Sequence, residues 1–343
     1  MGLNYICDMQ LQFSFIIPVF NRPDEIQELL QSFTLLDTTL DYEIVIVEDG
    51  STITSKAVIE HYESKLNISY CFKANSGPGD SRNYGMQRAQ GNYFIILDSD
   101  CVLPKQYLTK VSNSLESNYV DCFGGPDAAH DSFTNVQKAI NFAMTSFIST
   151  GGIRGRKDSI DEFQPRSFNM GISKAAFEAS NGFGRIHPGE DPDLSIRLKK
   201  LGFKITLISE AYVYHKRRIS WSKFYKQVYN FGLVRPILNT WHPESTKITY
   251  WFPTLFCLGF VFSVILFMFN INWPIVSYGL YFGLVFIISL FSTKHLIVAS
   301  LSLFAIAIQF IGYGYGFLKS TLALKIFNRK PEKQFPGLFF KSK

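Results

Sequence analysis

The sequence predicts an α/β protein whose doubly wound, mostly parallel sheet is followed by apolar helices that could enter a membrane. Two observations support this. Up to about residue 240, short apolar runs that end in polar, loop-forming residues alternate with helical patterns. Beyond Lys247, charged residues nearly vanish until Lys319. Strand–helix alternation is typical of parallel sheets, in which ligands bind at the carboxyl ends of the strands.

Three apolar runs predict buried strands at 13–19, 43–47 and 93–97, with helical patterns at 24–36, 55–64 and 80–89. Further strands are expected at 167–173, 204–208 and 211–215, and a basic, aromatic helix at 222–238. We therefore expect one catalytic domain over residues 1–240, with a first half at about 11–104 and a second half at about 105–240.

Three apolar segments follow, at about 249–270, 274–291 and 296–318. The first and third reach the roughly 20 residues needed to span a bilayer, and the second is slightly short. The tail at 319–343 is basic, which is typical of the cytoplasmic side. Three full crossings would separate this tail from a cytoplasmic catalytic domain. Either the middle segment is re-entrant or interfacial, or the tail breaks the rule.

The cysteines, the apolar run at 11–20 and the net charge indicate in which cellular compartment the protein lies and what it binds. The five cysteines form no CxxC pair and no zinc spacing, which indicates reduced thiols. The apolar run at 11–20 lacks the flanks of a signal peptide. We expect a multi-pass protein of the cell inner membrane with a cytoplasmic catalytic domain. The net charge of +6 is largely accounted for by the tail and a basic face around residues 216–235, so nucleic-acid binding is poorly supported.

Asp98-Ser99-Asp100 is the strongest candidate for chemistry. The two carboxylates follow an apolar strand and are one residue apart, so they point the same way. Oxygen ligands with open positions suit a hard cation such as Mn²⁺ or Mg²⁺. The alternative is that acidic residues are simply common in turns after strands.

Asn21 and Glu48–Ser51 also follow predicted strands, so we expect them to converge with Asp98–Asp100 on one crevice at the carboxyl ends of the strands. Four stretches complete the pattern: Ile16–Asn21, Val47–Ser51, Gly77–Asn83 and, further along the chain, Gly189–Asp191. In order and spacing, over roughly residues 11–240, the chain closely resembles the membrane-anchored bacterial type of family 2 glycosyltransferase. The resemblance implies the GT-A fold, which is Rossmann-like, a nucleotide-sugar donor, and inversion at the transferred sugar.

The resemblance also implies site roles. Asp49, preceded by Glu48 where relatives often carry a second Asp, would hold the nucleotide base, unless Asp49-Gly50 is only a turn. Pro18 and Asn21 would shape the loop under the nucleotide. By the same resemblance, the site at Asp98-Ser99-Asp100 would place Asp98 on ribose or a metal-bound water and Asp100 on the metal. His215 would complete the metal shell, although a lone His is more often structural.

Gly77 allows close approach to a ligand, and Asp80 or Ser81 would cap the next helix. Arg82 in the first turn of that helix is unfavourable against the helix dipole unless a phosphate lies nearby. The alternative is a surface Arg.

Asp191 is the candidate general base for the acceptor hydroxyl, and Glu190 is the alternate base. Asp191-Pro192 also fits a helix N-cap followed by proline, and both roles can coexist.

These features indicate a metal-dependent enzyme that transfers a sugar from a nucleotide sugar to a lipid-linked or glycan acceptor at a membrane, in cell-surface polysaccharide or glycolipid synthesis. The Gln-x-x-Arg-Trp motif of processive synthases in this family is absent from the sequence, which favours single-sugar addition. Two alternatives stay open. One is transfer to polyprenyl phosphate, and the other is a non-catalytic nucleotide-sugar-binding membrane subunit.

Overall fold

A computed structural model describes residues 10–128, 133–150, 163–215 and 220–340, with the backbone alone at His215. The chain divides into two compact units that interleave in sequence. Among the described residues, the sheet unit comprises 10–128, 163–215 and 340, and the helical unit comprises 133–150 and 220–339. The expected domain boundary at residue 240 stays a prediction about which part folds alone.

The sheet unit is built on a seven-stranded sheet with strand order β3-β2-β1-β4-β8-β6-β9. Strands β3, β2, β1 and β4 are parallel, β8 runs antiparallel to both its neighbours, and β9 pairs in parallel with β6. A smaller sheet joins β5, β10 and β7. The strands are β1 Phe13–Val19, β2 Tyr42–Asp49, β3 Ile68–Lys73, β4 Tyr93–Leu97, β5 Cys101–Val102, β6 Cys122–Gly124, β7 Asp127–Ala128, β8 Asn169–Ser173, β9 Ile205–Leu207 and β10 Val213–His215.

Helices connect these strands as the alternating pattern predicts. In the sheet unit they are α1 Pro23–Phe33, α2 Lys56–Tyr62, α3 Pro78–Met86, α4 Tyr107–Ser117, α7 Lys174–Ser180 and α8 Glu190–Lys200. The predicted α/β fold with a mostly parallel sheet is confirmed. Strand β3 escaped prediction because its side chains are only partly buried and form no continuous apolar run.

Strand β1 shows how the sheet is covered on both faces. Phe15 and Ile17 pack into one apolar cluster, whereas Ile16 between them packs into the other. The ring of Phe15 contacts Phe33 of α1 and Tyr42 of β2 edge-on, at centroid distances of 4.8 and 5.5 Å. Burial on both faces fixes the register of β1 and therefore the place where its carboxyl end opens into the Asn21 loop.

The helical unit contains the apolar C-terminal part of the chain. Its helices are α5 Asn135–Thr145, α6 Phe147–Thr150, α9 Trp221–Trp241, α10 Phe252–Met268, α11 Trp273–Thr293, α12 Leu296–Thr321 and α13 Pro331–Gln334. Three segments are long and apolar enough to cross a membrane: Ile248–Met268, Trp273–Thr293 and Leu296–Ile326.

The expectation that the middle apolar segment is short is wrong, because it forms a helix of 21 residues. Its polar end is accommodated within the helix, since the Thr293 hydroxyl donates to the Ser289 carbonyl at 2.8 Å. Length therefore gives no ground for a re-entrant middle segment.

The expected basic face of this region is only partly described. Residues 216–218 lie outside the described residues. Arg235 of α9 is partly buried, and its guanidinium lies 4.5 Å from the centre of the Tyr250 ring.

Helices α9 and α12 approach closely because glycines line their contact. A Cβ on Gly316 would lie 2.3 Å from the Tyr229 carbonyl oxygen, and one on Gly232 would lie 2.2 Å from that of Tyr313. Backbone atoms cannot move aside as a flexible side chain can. Small residues of this kind allow close helix packing in membranes, where van der Waals contact replaces the hydrophobic effect.

Gly316→Val should separate α9 from α12 and destabilise the helical unit by about 1–3 kcal/mol through overpacking. Gly283→Val in α11 is the matched control, because nothing lies within 4 Å of a Cβ at that position. Thermal unfolding of the full chain in detergent should show a lower midpoint for Gly316→Val than for Gly283→Val. Equal midpoints would contradict the packing described here.

Candidate active site around Arg82

A buried arginine joins the two acidic motifs. Arg82 lies in α3 with its side chain 5% exposed. Its Nη2 is 2.9 Å from Asp98 Oδ1, and its Nη1 is 3.2 Å from Glu190 Oε1. The alternative of a surface arginine is therefore wrong. A buried guanidinium needs paired carboxylates, and removing one partner of such a pair typically costs about 3–5 kcal/mol.

Glu190 begins α8 and is buried, with His187 as a second partner at 2.8 Å from Nδ1 to Oε1. Burial alone would raise the pKa of Glu190. The hydrogen bond from His187 and the positive charges of His187 and Arg82 outweigh it and hold that pKa below its usual range. Burial lowers the pKa of His187, but the hydrogen bond and charge of Glu190 more than offset this and raise it. The two side chains are hydrogen-bonded, and they form an ion pair when His187 is protonated.

Asp191 has the opposite environment. Its Oδ2 accepts a hydrogen bond from the Ser167 N–H at 3.1 Å. Its Oδ1 is buried and has no hydrogen-bond partner among the described residues. Burial and then the negative charge of Glu190 raise the pKa of Asp191. Neighbouring carboxyl groups whose pKa values are pushed apart are a common sign of acid–base chemistry.

The structure corrects two predicted helix caps. Helix α8 begins at Glu190 and its N-cap is Gly189, with φ 123°, so Asp191 lies inside the first turn and is not the cap. Helix α3 begins at Pro78 with Gly77 as its N-cap, at φ 96°, so Asp80 and Ser81 are not caps either. In both cases the chain enters the helix through a conformation with positive φ, which favours glycine over Asp or Ser.

Two neighbouring carboxylates at the end of β2, those of Glu48 and Asp49, bind different loops. Asp49 Oδ1 accepts from Lys73 Nζ at 2.7 Å and from the Ser76 N–H at 2.9 Å, and Oδ2 accepts from the Gly77 N–H at 2.9 Å. Glu48 is fully buried and accepts from the Ser55 N–H at 2.8 Å. Asp49 therefore holds the loop before α3, whereas Glu48 holds the loop before α2.

Asn21 connects the loops that follow β1 and β2. Its Oδ1 accepts from the backbone N–H groups of Thr52 and Ile53 at 2.8 and 2.9 Å. Its own N–H donates to the Ser51 hydroxyl at 2.7 Å, and its backbone has φ 55°. Pro18 of β1 is partly buried and pairs in register with Val47. The predicted convergence of these loops at one edge of the sheet is therefore present.

The loop after β4 presents Asp98 and Asp100, both partly exposed, on either side of the buried Ser99. The strand register places the backbone of His215 opposite Cys101, next to Asp100. Among the side chains that the structure describes, no group of three His, Cys, Asp or Glu residues could hold a metal. The donor set nevertheless fits a hard divalent cation, because two carboxylates leave open positions for substrate oxygens.

Two contributors to the site were missed from the sequence. Lys73, which pairs with Asp49, ends the unrecognised strand β3. His187 precedes Glu190 by three residues, and the two side chains meet across Pro188 and Gly189, whose φ is 123°.

Comparison with known proteins gives a consistent family. The family model "Glycosyl transferase family 2" matches residues 14–180. Poly(ribitol-phosphate) beta-N-acetylglucosaminyltransferase TarS of Staphylococcus aureus (strain Mu50) is 32% identical over 114 residues, which are 32% of this chain and 20% of that protein. Glycosyltransferase AglE of Haloferax volcanii is 26% identical over 166 residues, 44% of this chain and 55% of that protein. The chain thus spans about a fifth and about half of the lengths of these relatives.

Among solved structures, the mannosyltransferase PcManGT from Pyrobaculum calidifontis, in complex with GDP-Man and Mn²⁺, superposes with a TM-score of 0.57 at 12% identity. The superposition covers 94% of this chain and 89% of that one. It supports the GT-A fold, as the strand order does. The resemblance noted in the sequence is confirmed for the first half of the chain, where residues 14–180 match the model of glycosyl transferase family 2.

Proposed function

We propose that this protein is a membrane-anchored, inverting glycosyltransferase that moves one sugar from a nucleotide sugar to a lipid-linked or glycan acceptor. The observation that carries the proposal is the pair formed by Glu190 and Asp191, whose pKa values are shifted in opposite directions beside a buried arginine. A purely structural subunit has no need of a buried carboxylate oxygen that lacks a partner among the described residues, as Asp191 Oδ1 does.

Asp191 is the general base in this proposal. Inversion requires an acceptor hydroxyl to attack the anomeric carbon from the side opposite the leaving nucleoside diphosphate. The proton of that hydroxyl passes to Asp191 Oδ1, the oxygen that has no partner among the described residues. A raised pKa suits the role, because the carboxylate is then a stronger proton acceptor.

Glu190 keeps its negative charge and orients the surroundings. It holds Arg82 and His187, and Arg82 in turn holds Asp98. Arg82 thereby ties the acceptor side of the site to the loop that faces the donor diphosphate. Its Nε is buried and has no partner among the described residues, so it can still donate a hydrogen bond.

The donor lies at the carboxyl ends of β1, β2 and β4 in this proposal, with its base beside Asp49 and its diphosphate beside Asp98 and Asp100. Asp100 and Asp98, with His215 next to them in register, are the residues that would hold Mn²⁺ or Mg²⁺. When bound, the cation would stabilise the charge that develops on the diphosphate. A screen of nucleotide sugars with either cation, following nucleoside diphosphate release, tests this function and identifies the donor.

Three apolar helices that could cross a membrane support a membrane setting for the proposed enzyme, and we propose the inner membrane with a cytoplasmic site. They also suit an acceptor that carries a lipid. Transfer of one sugar per encounter remains the expectation from the missing processivity motif.

Asp191→Asn should reduce turnover by roughly 10²–10⁴-fold, because an amide cannot accept the acceptor's proton. Stability should hold or rise slightly, since the change removes a buried charge beside Glu190. Asp193→Asn is the matched control: Asp193 forms a structural ion pair with Arg197 at 2.8 Å, so its loss should lower the melting temperature and spare turnover. Near wild-type turnover in Asp191→Asn would remove Asp191 from the base role.

Glu190→Gln separates the two candidate bases. If Asp191 is the base, removing the charge of Glu190 lowers the pKa of Asp191, so the acid limb of the pH profile of kcat should move to lower pH. Residual turnover with this shift supports Asp191. Complete loss of turnover in a folded Glu190→Gln protein, with Asp191→Asn still active, would assign the base to Glu190.

Asp100→Ala should abolish the effect of Mn²⁺ on nucleoside diphosphate affinity and leave the fold intact, because the ion pair of Arg82 uses Asp98. Asp41→Ala is the control, since this exposed carboxylate precedes the amino end of β2, at the opposite edge of the sheet. Calorimetric titration with and without Mn²⁺ measures both. Full metal dependence in Asp100→Ala would exclude the proposed metal site.

A further inference from the structure

The last described residue of the chain lies in the sheet unit. Phe340 belongs to this unit, whereas residues 220–339 before it belong to the helical unit. Its backbone N–H donates to the Arg185 carbonyl at 3.1 Å, and its ring centre is 6.1 Å from that of His187. The same ring lies on Gly77, where an added Cβ would be 2.3 Å from Phe340 Cδ2. One side chain therefore contacts two loops that are distant in sequence.

Each of these loops holds a carboxylate of the proposed site. The Gly77 N–H donates to Asp49 Oδ2 at 2.9 Å, on the side where the base of the donor would bind. His187 holds Glu190 at 2.8 Å, beside the proposed general base. The Phe340 ring thus contacts Gly77, which binds a carboxylate on the donor side, and His187, which binds a carboxylate on the acceptor side.

Other contacts join the same two parts of the chain further along α3. Asn83 Nδ2 donates to the Phe183 carbonyl at 2.9 Å, and Asn83 Oδ1 accepts from the Phe183 N–H at 2.8 Å. The pair of Arg82 with Glu190 lies beside them at 3.2 Å. Phe340 adds an apolar contact at the start of α3, where the Gly77 turn has φ 96° and no side chain of its own.

We propose that Phe340 is a positioning residue that holds the Gly77 turn against His187 and thereby sets the spacing between the donor side and the acceptor side of the site. The expected effect of Phe340 on donor binding and turnover rests on the function proposed above, whereas the contact itself can be tested separately. The ring does not need to touch either substrate. It acts through Asp49, by way of Gly77, and through Glu190, by way of His187.

Hydrogen exchange on the full chain in detergent tests the contact without reference to activity. In Phe340→Ala, the amides of Ser76 and Gly77 and those of His187, Gly189 and Glu190 should exchange roughly 10-fold faster, because local opening becomes easier. Phe339→Ala is the matched control, since the neighbouring ring lies on Trp241 in the helical unit, at a centroid distance of 6.2 Å. Phe340→Tyr keeps the ring and should restore slow exchange.

Titration with nucleoside diphosphates and Mn²⁺, and donor turnover, test the consequence. A misplaced loop should lower kcat/KM by roughly 10-fold to 10²-fold in Phe340→Ala, with an unchanged global melting temperature and recovery in Phe340→Tyr. Unchanged exchange at both loops would overturn the proposal, and so would changed exchange with unaltered donor affinity and turnover. If the loops loosen but the unmodified chain binds no nucleoside diphosphate, the positioning role stands and the proposed function fails.

Discussion

The buried charge of Arg82 is the constraint on which the site depends. A guanidinium that is 5% exposed must be neutralised by carboxylates, and its two partners come from the loop after β4 and the start of α8. The pairing with Asp98 and Glu190 therefore requires α3, β4 and α8 to meet at one place. Because a lone buried charge is so unfavourable, the geometry of the loop after β4 and that of the start of α8 are set together.

Beside this charge, the adjacent carboxyl groups of Glu190 and Asp191 have pKa values shifted in opposite directions. Glu190 faces Arg82 and His187 and stays ionised, whereas Asp191 is buried next to the charge of Glu190 and holds its proton more tightly. Adjacent residues at the start of a helix point in different directions, so Glu190 joins the ion-pair network while Asp191 Oδ1 keeps no hydrogen-bond partner among the described residues. The chain enters α8 through Gly189 at φ 123°, and this turn sets the directions of the Glu190 and Asp191 side chains.

Close packing depends on large buried side chains in the sheet unit and on glycines in the helical unit. The sheet unit buries aliphatic and aromatic side chains on both faces of parallel strands, as around Phe15. In the helical unit, the contact of α9 with α12 depends instead on the absence of side chains at Gly232 and Gly316. The chain enters the helical unit twice, first at α5 and α6 and then from residue 217, so the units are interleaved in sequence.

The sequence by itself determined the layered α/β fold, the bounds of β1 and β4, and the convergence of Asn21, Asp49 and Asp98. These features could be predicted because strand periodicity and strand ends depend on short stretches of sequence. It did not reveal β3, whose pattern is too mixed, or the true helix caps, which depend on backbone φ at glycines. Only the tertiary structure decided that Arg82 is buried between two acidic motifs and that Asp191 and Glu190 differ in pKa. Burial and charge pairing arise between residues far apart in sequence, so the local sequence pattern does not reveal them.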